Sequence, residues 1–137
     1  ELWFTILIEI GHSAELLLTS LANLMTLERV GIDFPVITIV GIHFGYPWVE
    51  EMISVTWKHP NVYVGCDAHS PKYWDPSFIR FINSRRGQDK VLFGTDWPVI
   101  DFERAVNEIG ELGLKEEVMK KLFWENAIRV YGLEEWV

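Results

Sequence analysis

VITIVGIHFGYPWVEEMISVTWKHPNVYVG, residues 36–65, contains one complete unit of a pattern that recurs along the chain. Val36 to Ile42 is a β-branched run with no polar alternation, as expected of a strand buried on both faces. His43 interrupts it, and a helical stretch follows. Pro47 stands at a first-turn position, Glu50 and Glu51 near the positive end, and Lys58 and His59 near the negative end. Val49, Met52, Ile53 and Trp57 form an apolar stripe, Pro60 stops the helix, and Val62 opens a second buried run. Strand, helix and strand in this order predict parallel strands joined by a right-handed crossover.

The same pattern extends in both directions. Strands are predicted at FTILI (4–8), VITIVGI (36–42), VYVGC (62–66) and KVLFGT (90–95). A helix is expected over 13–31, capped by Ser13, with Leu17, Leu21 and Leu24 on one face and a stop at Gly31. Another starts at Asp75 and Pro76 and ends by Gly87, and a third begins at Asp101. The last covers 115–133, with Glu116–Lys120 and Glu117–Lys121 as i,i+4 pairs. Strands two to four begin near 36, 62 and 91, close to the roughly 31 residues per unit of an eight-unit barrel. The expected fold is therefore α/β, a single domain over 1–137 with parallel βα units forming about half of a (β/α)8 TIM barrel. The alternative is a small open sheet of flavodoxin type, which the lack of a Gly-rich phosphate loop weakens.

Composition narrows the range of functions. With 49% hydrophobic and 14% aromatic residues, 137 residues suffice for a core. A net charge of −8 argues against nucleic acid or an anionic membrane as partner. The longest apolar stretch is broken by His43, two glycines and Pro47, and is too short to span a bilayer. Cys66 is the only cysteine, which excludes an intrachain disulfide and a thiolate zinc cluster and makes a reducing cytoplasm the expected compartment. The start, within an apolar run and without methionine, reads as a chain opened inside a larger one. Four units would leave two open strand edges and an apolar face. A homo-oligomer, or docking on an amino-terminal half-barrel, is expected to cover them.

Polar groups cluster where the strands end. VGIHFGYP ends at His43, VGCDAHSP follows its strand with Asp67 and His69, and FGTDWP ends at Asp96. In a parallel barrel these ends converge on the face where chemistry is done. Two imidazoles and a carboxylate there suit Zn²⁺ or another divalent cation. Each residue also has a structural reading: an Asx-turn for Asp96, a core histidine for His43, a turn residue for His69, a helix-start neighbour for His12. His59 suits a helix C-terminus and Cys66 a buried filler. Trp48, Trp74 and Trp97, near strand ends, are candidates for a pocket wall, whereas Trp57 and Trp124 read as helix packing.

The words HFGYPWVEEMI…KHPNVY, DKVLFGTDWP and WENAIRVYGL resemble the amidohydrolase-related family of metal-dependent (βα)8-barrel enzymes. That family includes hydrolases and decarboxylases similar to aminocarboxymuconate-semialdehyde decarboxylase. The resemblance is strong over 33–133 and covers the carboxyl-terminal half of such a barrel. It implies that His43 matches the fifth-strand metal ligand and Asp96 the eighth-strand ligand. His69 matches the histidine beside the metal-bound water. The family's first-strand His-x-His pair has no counterpart, since no two histidines stand two apart.

The resemblance implies a zinc-dependent hydrolase of a small-molecule amide, ester or lactone. Asp96 would be both ligand and proton acceptor, and His69 would stabilise the oxyanion. Trp48, Trp97 and His12 are the expected pocket residues. The alternatives are decarboxylation of an unsaturated or aromatic acid, and a non-catalytic half-barrel that self-associates or binds a partner.

Overall fold

The computed structural model describes residues 4–12, 16 and 18–136. Four strands, β1 (Thr5–Glu9), β2 (Thr38–Ile42), β3 (Val62–Gly65) and β4 (Val91–Leu92), form one parallel sheet in sequential order. A doubly wound sheet reverses its strand order at a switch point; a barrel does not. The order seen is that of half a barrel. Helices α1 (Leu24–Asp33), α2 (Val49–Lys58) and α3 (Pro76–Ile82) occupy the three crossovers. After β4 come α4 (Phe102–Gly110), α5 (Glu116–Lys120), a π turn (Lys121–Glu125) and α6 (Asn126–Tyr131).

Alternation along the strands divides the apolar residues between two faces. Ile39, Val62, Val64 and Val91 meet the helices through Leu27, Met52, Phe78 and Ile109. Val40 and Leu92 turn the other way and pack with Val130. Each fully buried side chain of this kind contributes about 1.5–3 kcal/mol. Gly41 lets α2 approach β2, because a Cβ there would lie 2.6 Å from the Met52 methyl.

Side-chain caps set three of the six α-helix starts among the described residues. Asp75 accepts from the Ser77 N–H ahead of Pro76, and Asp101 accepts from the Arg104 N–H. Several expectations are corrected. The helix expected over 13–31 begins at Leu24, where Asn23 supplies the cap by accepting from Met25 N–H at 2.8 Å. Gly31 lies within this helix rather than at its stop, buried where a Cβ would meet Val62 at 3.0 Å. Leu21 is 75% exposed, and Ser13 and Leu17 lie outside the described residues. In α2, Pro47 precedes the first turn, and Val49, Met52, Val55 and Thr56 are the buried residues. That spacing leaves Trp57 at the rim, with the Arg86 guanidinium 4.6 Å from its ring. Trp124 is likewise half-exposed.

The terminal segment wraps the outer edge of β4. Val118 and Leu122 pack on the helix side of the sheet, Ala127 and Val130 on the opposite side. Between them the Leu122 carbonyl accepts the Phe93 N–H at 3.1 Å. Asn126, 2% exposed, donates to the carbonyls of Val91 (2.8 Å) and Gln88 (2.9 Å). Of the two edges expected to be open, that of β4 is therefore covered. Lys120 pairs with Glu116 as expected, but Lys121 reaches Asp89 instead of Glu117.

Candidate functional site

Three strands lead into residues with left-handed backbones: His43 (φ 61°) after β2, Ala68 (φ 61°) after β3 and Asp96 (φ 54°) after β4. Non-glycine residues adopt this conformation at a cost of about 1–3 kcal/mol each, so their surroundings must hold them there. The Asp67 carboxylate accepts the His43 N–H at 2.5 Å. The Asp67 carbonyl accepts the His69 N–H at 2.8 Å across Ala68, and the Asp96 carbonyl accepts the Val99 N–H at 2.8 Å.

All three residues line one cleft of about 140 Å³ at the carboxyl ends of the strands, together with Glu9, His12, His69 and Val99. The structure thus brings His12, His43, His69 and Asp96 together. It leaves the two expected pocket tryptophans outside the lining: Trp48 packs against the core and Trp97 is 69% exposed. Trp74 is buried, and its indole N–H donates to the His69 carbonyl at 3.0 Å.

The cleft histidines have different environments. Nδ1 of His43 lies 3.2 Å from Asp67 Oδ1, and among the described residues its Nε2 makes no hydrogen bond. The bond to Asp67 raises the His43 pKa against the opposing effect of burial, with help from the charges of Asp67, Asp96 and Glu9. His69 is lowered instead, first by burial and then by His12 and His43. Its ring sits among Phe44 (4.9 Å), Tyr46 (5.1 Å) and His12 (6.0 Å between centroids). A neutral imidazole is the form this setting favours.

The next residue anchors the loop. Ser70 donates to Glu108 and accepts from Arg104 at 3.0 Å, which ties the strand end to α4. Ser70 and then Arg104 hold the Glu108 carboxyl down at about 2. Outside the cleft, Cys66 donates to the Leu92 carbonyl and burial pushes its thiol up. His59 pairs with Glu28 at 3.1 Å, beyond the helix end.

Two acids, one lining the cleft and one behind it, received no role from sequence. Glu9 ends β1 as His43 follows β2, so the strand-end rule was a signal for it. Asp67 stands beside His69 in the chain, but only the fold brings it to His43.

The donors match a divalent cation in kind: imidazole nitrogen and carboxylate oxygen. Among the described residues, however, no three His, Cys, Asp or Glu side chains are grouped closely enough to hold one. The cleft offers donors of the right kind, His43 and Asp96 among them, but fewer than a complete coordination shell needs. No helix among the described residues is long and apolar enough to cross a membrane.

Comparison with known proteins places this geometry in context. A sequence model of the amidohydrolase family matches residues 5–133. An uncharacterized TIM-barrel protein from Bordetella bronchiseptica is 30% identical, with a TM-score of 0.82 over 93% of this chain and 45% of its own. Amidohydrolase 2 from Bifidobacterium longum subsp. infantis is 19% identical, with a TM-score of 0.61 over 97% of this chain and 50% of its own. The 5-carboxyvanillate decarboxylase of Novosphingobium aromaticivorans, solved with manganese, is 19% identical, with a TM-score of 0.59 over 83% and 40%. The chain thus spans about half the length of the solved structures it matches, all of them sharing its fold. No curated protein matches it.

Proposed function

The chain belongs to the amidohydrolase family, and from that premise we propose that it carries part of the active site of a metal-dependent hydrolase acting on a small-molecule amide, ester or lactone. The observation that carries the reading is the meeting of His43, His69 and Asp96 in one cleft at the carboxyl ends of parallel strands. His43, through Nε2, and Asp96 would hold a divalent ion, zinc or manganese, which supplies Lewis acidity at the reacting carbonyl. The Asp96 carboxylate accepts the proton of the attacking water. His69, kept neutral by burial, donates a hydrogen bond to the oxygen that gains charge. Phe44, Tyr46 and His12 hold the His69 ring in place.

A second reading is decarboxylation of an unsaturated or aromatic acid. It is favoured by the fold likeness to decarboxylases solved with manganese. In it Asp96 and His69 would pass the proton to carbon.

Two donors fall short of the three that catalytic zinc sites use. The 137 residues alone, loaded with Zn²⁺ or Mn²⁺, should therefore turn over amides, lactones and aromatic carboxylates slowly or not at all. Turnover should appear when an amino-terminal half-barrel is supplied in cis or in trans, and disappear with His43→Ala or Asp96→Ala. A completed barrel whose turnover survives Asp96→Ala would defeat the proposal.

A further inference from the structure

Asp67 lies outside the cleft lining, yet it makes two contacts to His43, a residue 24 positions earlier and one strand away. Its Oδ1 accepts the His43 backbone N–H at 2.5 Å and faces the ring Nδ1 at 3.2 Å. Both side chains are largely buried, at 16% and 17% exposure. Gly94 closes behind the carboxylate: a Cβ there would stand 3.1 Å from the Asp67 Cβ, so the strand-end turn of β4 packs directly on this residue. The contact to the backbone N–H also falls where the chain needs it, since His43 (φ 61°) and Phe44 (φ 33°) are both left-handed.

A carboxylate only accepts hydrogen bonds. The ring nitrogen facing it must therefore be the one that carries the proton, which leaves Nε2 with its lone pair. We infer that Asp67 is a positioning residue: it sets the His43 tautomer with Nδ1 protonated, fixes the ring plane and holds the strained backbone from which that ring projects. The inference rests on the reading of His43 as a cation donor, because only an unprotonated Nε2 can donate to a metal. It adds a residue that touches neither ion nor substrate, and it explains why an acid follows β3 one strand away from the histidine it serves.

The first experiment needs no metal. In the 137-residue chain labelled with ¹⁵N-histidine, long-range ¹H–¹⁵N correlation at alkaline pH, above the raised pKa of His43, should show its neutral form with the proton on Nδ1. In Asp67→Ala the proton should redistribute toward Nε2, while Asp67→Asn, which keeps an acceptor oxygen, should retain the wild-type pattern. Resonances of the distant Lys90–Tyr63 contact report whether each variant is folded. The second experiment titrates Mn²⁺ and follows paramagnetic broadening of the His43 ring signals. Asp67→Ala should need about 10- to 100-fold more Mn²⁺ for the same broadening, with Asp67→Asn between the two.

A wild-type His43 protonated on Nε2 overturns the inference whether or not Mn²⁺ binds, and so does an unchanged tautomer in a folded Asp67→Ala. The expected tautomer shift without any Mn²⁺ broadening in the wild type would support the positioning role and count against the metal reading.

Discussion

β4 is only two residues long, yet the chain closes its outer edge itself. β1 has five residues and pairs on one side only among the described residues. At β4 the Leu122 carbonyl and the Asn126 amide take up the Phe93 N–H and the Val91 carbonyl, so the backbone groups that a further strand would use are already bonded. At β1 the apolar residues Phe4, Ile6 and Leu7 are 66%, 39% and 53% exposed, and among the described residues the one side-chain hydrogen bond from the strand is the Thr5 hydroxyl on the Val130 carbonyl at 2.8 Å. The difference teaches that a half-barrel's two edges are not equivalent. One is closed by buried polar groups, while the other, among the described residues, keeps exposed apolar side chains and has no second strand beside it, the kind of edge on which a sheet extends.

The comparison breaks most readily at Asn126. Replacing it with alanine leaves the buried Val91 carbonyl and the half-buried Gln88 carbonyl without this donor, so urea unfolding should show a loss of about 2–3 kcal/mol. A loss within error would mean that the β4 edge is not held by this side chain.

Lys90 sharpens the same side of the comparison. Its ammonium donates to the carbonyls of His59, Pro60 and Val62 at 3.0, 2.7 and 2.9 Å and stands 4.3 Å from the Tyr63 ring centroid, which joins the start of β4 to that of β3. Burial, with Arg129 nearby, lowers its pKa from 10.5 to about 8. Below pH 8 both folded and unfolded chains hold the proton. Between about 8 and 10.5 the folded chain releases it first, so the unfolded state binds more protons and stability rises with pH. The three carbonyls favour the ammonium and make the rise smaller than burial alone would give. Subtracting the pH profile of Lys90→Met isolates it, and a flat difference across the window would refute the linkage.

The smallest effect on stability is expected at the open edge. Leu7→Lys, at an exposed position, should change unfolding free energy by less than about 0.5 kcal/mol. It should nevertheless suppress association that sedimentation detects at micromolar concentration in the wild type, because a charged strand edge discourages pairing. A wild-type chain that stays monomeric and binds no exposed-hydrophobe dye would show that β1 is protected as well as β4.

Much of this architecture was legible in the sequence because its signals are local. Apolar runs without alternation marked buried parallel strands, Asp75 and Asp101 announced helix starts, and a polar residue after each strand located one face. The grouping at the strand ends was legible to the same extent: His43, His69, His12 and Asp96 share the cleft, whereas Trp48 and Trp97 do not line it. Nearness to a strand end says nothing about which way an indole turns; packing against the core took Trp48, and solvent took Trp97. The helix expected from Ser13 starts later because a cap signal competes with others downstream, and Asn23 supplies the cap observed.

By itself, then, the sequence determined the alternation of strand and helix, the parallel sense of the sheet and the end at which polar residues gather. Those features follow from periodicity, from cap and stop residues and from the reach of short crossovers. Only the tertiary structure decided that the π turn and α6 would cross the β4 edge, that β1 would keep its apolar residues exposed, and that the Asp67 side chain would meet His43. Each of these depends on which groups from distant parts of the chain meet in space. No pattern within one segment encodes that, because a hydrogen bond between strands is fixed by the register and twist of both.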